Sequence, residues 1–216
     1  MTNQEIFPHI DHTLLKPTAT IEEIDVLCQE ALKYHTASVC IPACFVEYAA
    51  KNYPELNICT VVGFPLGYST MAIKCSEAVG AINSGANEID MVVNLTDVKN
   101  GKFDAVTSEI KALKYVCGEK ILKVIIETCY LTEEEKIRLC ECVTEAGADY
   151  IKTSTGFGTS GANINDIKLF KKYIGKEVKI KAAGGIRTKD DIEMFLNEGC
   201  DRIGTSSAVK ILAEDM

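Results

Sequence analysis

A six-residue pattern occurs three times in this chain. Gly85-Ala86-Asn87-Glu88-Ile89-Asp90 resembles Gly147-Ala148-Asp149-Tyr150-Ile151-Lys152, and both resemble Gly199-Cys200-Asp201-Arg202-Ile203-Gly204. Each copy opens with a glycine after a helical stretch, the usual way for a helix to end. An Asn or Asp follows, and then a short strand. A helix-to-strand turn that recurs this way belongs to a chain in which helices and strands alternate. Asp90, Lys152 and Gly204 stand at one offset from their glycines. They are therefore expected at equal height on one rim of a sheet.

The rest of the chain keeps the alternation. Thr20-Ile21-Glu22-Glu23 is a capping box, followed by Ile21, Ile24, Cys28 and Ala31 at helical spacing. Ala37 to Ile41 is a short apolar run, and Asn57 to Phe64 reads as a strand. Phe103, Val106, Ile110 and Leu113 mark another helical face. Ile121 to Thr128 reads as a strand, and Thr132-Glu133-Glu134-Glu135 caps the next helix. Val178 to Ala183 reads as a strand, and Thr188 opens a helix through Ile192 and Phe195. This amounts to about eight strand–helix units from Ile10 to a helix after Gly204. The expected fold is a TIM (β/α)8 barrel, one domain over residues 1–216. A doubly wound open sheet is the alternative, but it would usually carry an early Gly-x-Gly-x-x-Gly turn, absent here.

Period-two alternation extends the expectation inward. If Asp90, Lys152 and Gly204 face the barrel axis, so do Glu88, Tyr150 and Arg202. These fall on the fourth, sixth and eighth strands, and alternate strands share a layer. Glu88 and Arg202 are then a candidate interior ion pair. Lys123 and Glu127 share a direction on the fifth strand and are further candidates for a polar interior.

Composition narrows the chemistry. The 216 residues are 47% hydrophobic and 25% charged, ordinary for a globular protein. A net charge of -8 disfavours nucleic acid as a partner, since phosphate backbones need a basic surface. No apolar run reaches transmembrane length and no signal peptide opens the chain, so no membrane partner and a cytosolic location are expected. The ten cysteines contain no Cys-x-x-Cys pair and lie mostly in apolar patterns, as free thiols do. His9, His12 and His35 form no ligand motif, so no metal is expected.

Lys152 ends a strand that reads as buried, just before the turn Thr155-Gly156-Phe157-Gly158. Desolvation makes a lysine amine nucleophilic, which suits Schiff-base chemistry. A lysine that snorkels to solvent at a strand end is the plainer reading. Lys181 lies near the end of the next strand, and a like charge there would depress the pKa of Lys152. Lys179 shares its parity and reads as structural. Asp90 supplies a carboxylate on the same rim for proton transfers through water, or to pair with a lysine. Three glycine turns follow consecutive strands: Gly156, Gly184-Gly185, and Gly204-Thr205-Ser206-Ser207. Glycines admit a ligand close to the backbone, and Ser206 or Ser207 could cap a phosphate-binding helix N-terminus.

At these residues the chain resembles the deoxyribose-phosphate aldolases, class I aldolases with a TIM barrel. The matching segments are Ile10 to Leu15, Val61 to Gly67, Gly85 to Asn94, Leu122 to Thr128, Tyr150 to Gly158, Lys181 to Arg187 and Gly204 to Ser207. The resemblance implies reversible cleavage of 2-deoxy-D-ribose 5-phosphate to D-glyceraldehyde 3-phosphate and acetaldehyde. It places the chain in deoxyribose phosphate catabolism. Lys152 matches the Schiff-base lysine, Lys181 the lysine that perturbs it, and Asp90 the proton-relay aspartate. Gly184, Gly185, Gly204, Ser206 and Ser207 match phosphate-site positions, with Thr155 and Gly156 beside them. Asp11 and Thr13 match a polar pair at the substrate hydroxyl or its bound waters. The implied partner is a small phosphorylated sugar, with no cofactor; a homo-oligomer, dimer or tetramer, is allowed.

Two departures from the family pattern stand out. Cys40-Ile41-Pro42-Ala43-Cys44 carries its proline early and lacks the polar residue before it, which leaves the end of the second strand open. Met216 ends the sequence without the tyrosine tail of some members, leaving proton transfer to water and Asp90. Two other readings are weighed against this one. A different phosphosugar class I aldolase or transaldolase keeps the fold and the lysines. A sugar-phosphate-binding regulator would need no nucleophile.

Overall fold

Eight parallel strands pair in sequence order and close into a barrel, as the alternation predicts. They are β1 (Ile10–Thr13), β2 (Ser38–Ile41), β3 (Ile58–Val62), β4 (Glu88–Val92), β5 (Ile121–Ile125), β6 (Tyr150–Lys152), β7 (Lys179–Ala183) and β8 (Arg202–Thr205). A short helix α1 (Asn3–Ile6) precedes them. The connecting helices are α2 (Ile21–Tyr34), α3 (Val46–Asn52), α4 (Met71–Asn83), α5 (Leu95–Lys99), α6 (Phe103–Cys117), α7 (Glu133–Glu145), α8 (Ile164–Tyr173) and α9 (Lys189–Glu198). Helix α10 (Ala208–Ala213) follows the last strand. This computed structural model describes residues 1–213.

Local chemistry starts the helices. Thr20 with Glu23, and Thr132 with Glu135, form the two expected capping boxes, and Thr2 with Glu5 and Thr188 with Asp191 form two more. Ile24, Leu27, Cys28 and Ala31 of α2 are buried. Ile21 is exposed, because the first turn of α2 stands clear of the barrel. In α6, Val106, Ile110 and Leu113 are buried as their spacing predicts.

The repeated turn is a clamp between neighbouring strands. Gly85, Gly147 and Gly199 all have positive φ, which turns the chain out of its helix. Two residues later, Asn87 Oδ1 accepts the Ile58 N–H at 3.0 Å. Asp149 Oδ2 accepts the Leu122 N–H at 2.8 Å, and Asp201 Oδ2 accepts the Ile180 N–H at 2.9 Å. In each case the clamped residue's carbonyl takes the Asn or Asp N–H in return. The Asn or Asp of the pattern therefore fixes its own strand to the preceding one.

Register places the interior side chains in layers. The pairings Cys40↔Cys59, Asp90↔Lys123, Lys152↔Lys181 and Asp11↔Gly204 interleave residues from odd and even strands. By strand alternation, the even strands contribute Ser38, Glu88, Tyr150 and Arg202 to a lower layer. They contribute Cys40, Asp90, Lys152 and Gly204 to an upper one. The odd strands insert Asp11, Cys59, Lys123 and Lys181 between them. Asp90, Lys152 and Gly204 thus share a layer, as their common offset predicts. Barrel interiors are usually filled by Val, Ile and Leu. Here many branched residues face outward instead: Val39, Ile41, Ile89, Leu122, Val124, Ile151 and Ile203 are buried against the helices.

Candidate active site

Asp90 is the centre of the buried charges. Its Oδ1 accepts the Lys123 ammonium at 2.8 Å. Its Oδ2 accepts Lys152 and Lys181, each at 2.7 Å. The two lysine nitrogens therefore lie no more than twice that distance apart, with a carboxylate oxygen between them. Burial alone would raise the pKa of Asp90, but Lys123, Lys152 and Lys181 overcome it and hold the carboxyl well below the usual range.

The other interior charges complete the set. Asp11 sits one layer down, where Lys181 and Arg202 bind its carboxylate and Lys123 lies 3.7 Å away. Arg202 reaches Glu88 at 3.1 Å, so the expected ion pair is present, and Lys123 also contacts Glu88. Burial opposes the charge on Lys181, yet Asp11 and Asp90 raise its pKa above the ordinary lysine range. The interior thus holds carboxylates from Asp11, Glu88 and Asp90 against cations from Lys123, Lys152, Lys181 and Arg202.

Lys152 is the interior lysine that opens on a cavity. It is 3% exposed, whereas Lys123 and Lys181 are at 0%. The cavity, about 400 Å³, lies at the C-terminal ends of the strands, where TIM-barrel sites sit. Gly156, Gly184 and Gly185 form one wall, and Gly204, Ser206 and Ser207 form another. Gly161 must be a glycine, because a Cβ there would lie 2.1 Å from the Gly184 carbonyl oxygen. That close contact brings the β6–α8 loop onto the turn after β7. Ser207 stands where α10 begins, and its carbonyl accepts the Ile211 N–H at 2.9 Å.

The residues anticipated from the sequence fall into two groups. Thr13, Lys152, Thr155, Gly156, Gly184, Gly185, Gly204, Ser206 and Ser207 line the cavity. Asp11, Asp90 and Lys181 lie beneath it, fully buried. Asp11 and Thr13 are therefore not side by side at one surface. Thr13 faces the cavity, while Asp11 belongs to the middle layer of the barrel. Lys179 is exposed at the opposite end, 5.8 Å from the Tyr150 ring centroid. Sequence reasoning did not single out Arg187 and Lys16, two cations on the cavity wall. For Arg187, the available signal was a cation two residues after the Gly184-Gly185 turn. Met216 lies outside the described residues.

The atypical second strand turns a thiol inward. Cys40 Sγ, Cys59 Sγ and a carboxylate oxygen of Asp90 lie within 4.8 Å of one another. The Lys123 ammonium contacts Cys59 Sγ at 3.3 Å and Asp90, so a lysine already supplies positive charge to this cluster. A hydrogen bond from Cys59 lowers the pKa of the Cys40 thiol, while burial raises that of Cys59. Pro42 ends the strand, and a single 3₁₀ turn follows at Ala43–Phe45.

Comparison with known proteins fits this arrangement. Residues 6–208 match the family model described as DeoC/LacD family aldolase. The chain belongs to this family. A deoxyribose-phosphate aldolase from Clostridium botulinum (strain Alaska E43 / Type E3) is 64% identical over 213 residues, covering 98% of this chain and 96% of that protein. One from Clostridioides difficile (strain 630) is 54% identical, covering 98% and 97%. The structure of the tetrameric deoxyribose phosphate aldolase from Aeropyrum pernix superposes with a TM-score of 0.92 at 30% identity, covering 99% and 92%. The family resemblance read from the motifs therefore holds along the chain.

Proposed function

We propose that this chain is a class I aldolase that reversibly cleaves 2-deoxy-D-ribose 5-phosphate to D-glyceraldehyde 3-phosphate and acetaldehyde. One observation carries the reading. Lys152 meets a cavity walled by glycine turns, while its ammonium shares one oxygen of Asp90 with Lys181. A protein that only binds a sugar phosphate has no use for that arrangement.

The chemistry follows from the positions. Lys152 supplies the free amine. Its Nζ attacks the aldehyde carbon to give a carbinolamine, and loss of water gives the Schiff base. The protonated imine draws electrons from the adjacent carbon–carbon bond. That bond breaks as the neighbouring hydroxyl loses its proton, and glyceraldehyde phosphate leaves. The remaining enamine takes a proton at carbon, and water then releases acetaldehyde. Asp90 orients the Lys152 amine and works with water in these transfers. Lys181 keeps a positive charge beside the amine. Gly184, Gly185, Gly204, Ser206 and Ser207 take the phosphate, with Arg187 and Lys16 supplying charge at the wall.

The setting is inferred in the same way. Ten free thiols suit a reducing cytosol. No described helix is long and apolar enough to cross a membrane. Self-association as a dimer or tetramer fits the tetrameric relative and the exposed Leu66, Tyr68, Met71 and Ile73.

The test is borohydride trapping. After incubation with substrate, mass spectrometry should place the adduct on Lys152, and wild type should release acetaldehyde. An active enzyme with its adduct elsewhere would refute the assignment of Lys152. Turnover of other phosphosugars without acetaldehyde release would move the reading to a different class I aldolase.

A further inference from the structure

Glu127 has no part in the chemistry above, yet its surroundings are unusual. It is buried, and it is one of only two non-glycine residues at positive φ among the described residues, with φ of 51°. Side chains are strained there, and such strain persists where the surroundings impose it. Both of its carboxylate oxygens face one residue. Oε1 accepts the Thr155 N–H at 3.1 Å, and Oε2 accepts the Thr155 hydroxyl. The backbone is fixed alongside: the Thr128 N–H donates to the Thr153 carbonyl at 3.0 Å, and Ile126 to that of Lys152 at 3.1 Å. Gly158 packs over the carboxyl, since a Cβ there would lie 3.1 Å from Glu127 Cδ. The clamp thus grips the chain three residues after Lys152, on the cavity wall.

The hydrogen bonds of Thr155 can be counted. A threonine hydroxyl has one donor and two acceptor sites. The donor is committed to Glu127. One acceptor site takes the Phe157 N–H at 3.0 Å. Phe157 in turn packs edge-on against Phe64, with ring centroids 5.3 Å apart, which fixes that side of the loop. One lone pair remains on the hydroxyl oxygen of this residue, which lines the cavity. An ionised carboxylate accepts only, so while Glu127 is charged the Thr155 proton cannot turn toward the cavity.

We propose that Glu127 is a specificity-determining positioning residue: it makes Thr155 a pure hydrogen-bond acceptor in the cavity, selecting a substrate that presents a hydroxyl donor there. The inference rests on the aldolase reading and extends it from the aldehyde end of the substrate to its hydroxylated end. Burial raises the pKa of the Glu127 carboxyl, while the Thr155 bonds and the charge of Lys152 oppose that rise. In Glu127→Gln, one oxygen can serve only one of the two Thr155 donors. The amide NH2 then donates to the threonine oxygen and frees its proton toward the cavity, which inverts the preference.

Acetaldehyde provides the control, because it forms the same Lys152 Schiff base and has no hydroxyl. Glu127→Gln and Thr155→Val should each raise KM for 2-deoxyribose 5-phosphate about tenfold or more. Borohydride trapping of acetaldehyde on Lys152 should change far less. The double variant should be no worse than the poorer single, because both remove one contact. Thr155→Ser keeps the hydroxyl and should recover most of the KM lost in Thr155→Val. Unchanged KM in Glu127→Gln and Thr155→Val would overturn the proposal. So would a parallel loss of acetaldehyde trapping, which marks a merely structural role. If Glu127→Gln does not fold, the contrast between Thr155→Val and Thr155→Ser decides. Failure of the wild type to trap acetaldehyde on Lys152 would sink the aldolase reading itself and this inference with it.

Discussion

The barrel interior and the layer between barrel and helices are both buried, yet they are built from opposite chemistries. Inside lie Asp11, Glu88, Asp90, Lys123, Lys152, Lys181 and Arg202. Outside lie Val, Ile, Leu and Phe side chains in one continuous cluster. Burying ions is costly, and pairing them offsets the cost only when geometry is good. Apolar burial, by contrast, is the main driving force of folding. The outer layer therefore carries the stability. The inner one is a charged site held in place by it, and substitutions should separate the two.

The largest separation is expected at Lys152. Lys152→Ala should lower retro-aldol activity by at least about 10⁴-fold. Its melting temperature should hold or rise, since a buried amine is costly to desolvate and active sites often trade stability for function. Next is Asp90→Asn, which strips the shared carboxylate from three lysines. It should lose activity and also about 3–5 kcal/mol of stability, read from urea denaturation. Activity loss with no change in stability would mean the charges of the interior do not depend on one another. In the outer layer, Leu113→Ala should cost about 3 kcal/mol, with kcat unchanged well below its melting temperature. A fall in kcat there would show that the two regions are mechanically coupled.

The smallest effect is in the pH dependence of stability. Asp11 and Asp90 have folded pKa values below their unfolded ones. Their contribution is complete above an unfolded pKa of about 3.9 and is lost as the pH falls below it. Lys123 and Lys181 are shifted the other way, so their contribution is complete below about 10.4 and is lost only above that. These four groups should thus contribute little to the pH dependence of denaturation midpoints between about pH 5 and 9. A steep loss near pH 6 that Asp90→Asn abolishes would contradict this pairing.

Most of the fold was legible because the helix-to-strand turn repeats and the capping boxes are local. The pair of Glu88 and Arg202 was legible from alternation, since a shared parity puts both in one layer. Contacts set by barrel closure were not. Asp11 meets Lys181 and Arg202 only because β1 pairs with β8, and a four-residue strand gives little pattern to read. Lys123 was expected in a polar interior, but nothing local tied it to Asp90. The run Ile121 to Thr128 looked like one strand, yet β5 stops at Ile125 and Glu127 turns left-handed. Lys74 was hidden differently. It lies on a helix, where lysine is ordinary, but it is fully buried, donating to the Val92 carbonyl at 2.8 Å and to Glu109 at 2.9 Å.

The three strand clamps bear on how such a barrel assembles. The side-chain bonds from Ile58 to Asn87, Leu122 to Asp149 and Ile180 to Asp201 span 29, 27 and 21 positions. The seam between Ile10 and Ile203 joins the two ends of the sheet. Short loops close at lower entropic cost than long ones, and contacts of low sequence separation form sooner. Three strand pairs can therefore find their alignment independently, before the cylinder is shut. A slip by one residue within any pair would turn its charges outward into the hydrocarbon layer, so each clamp acts as an early checkpoint against a misthreaded barrel.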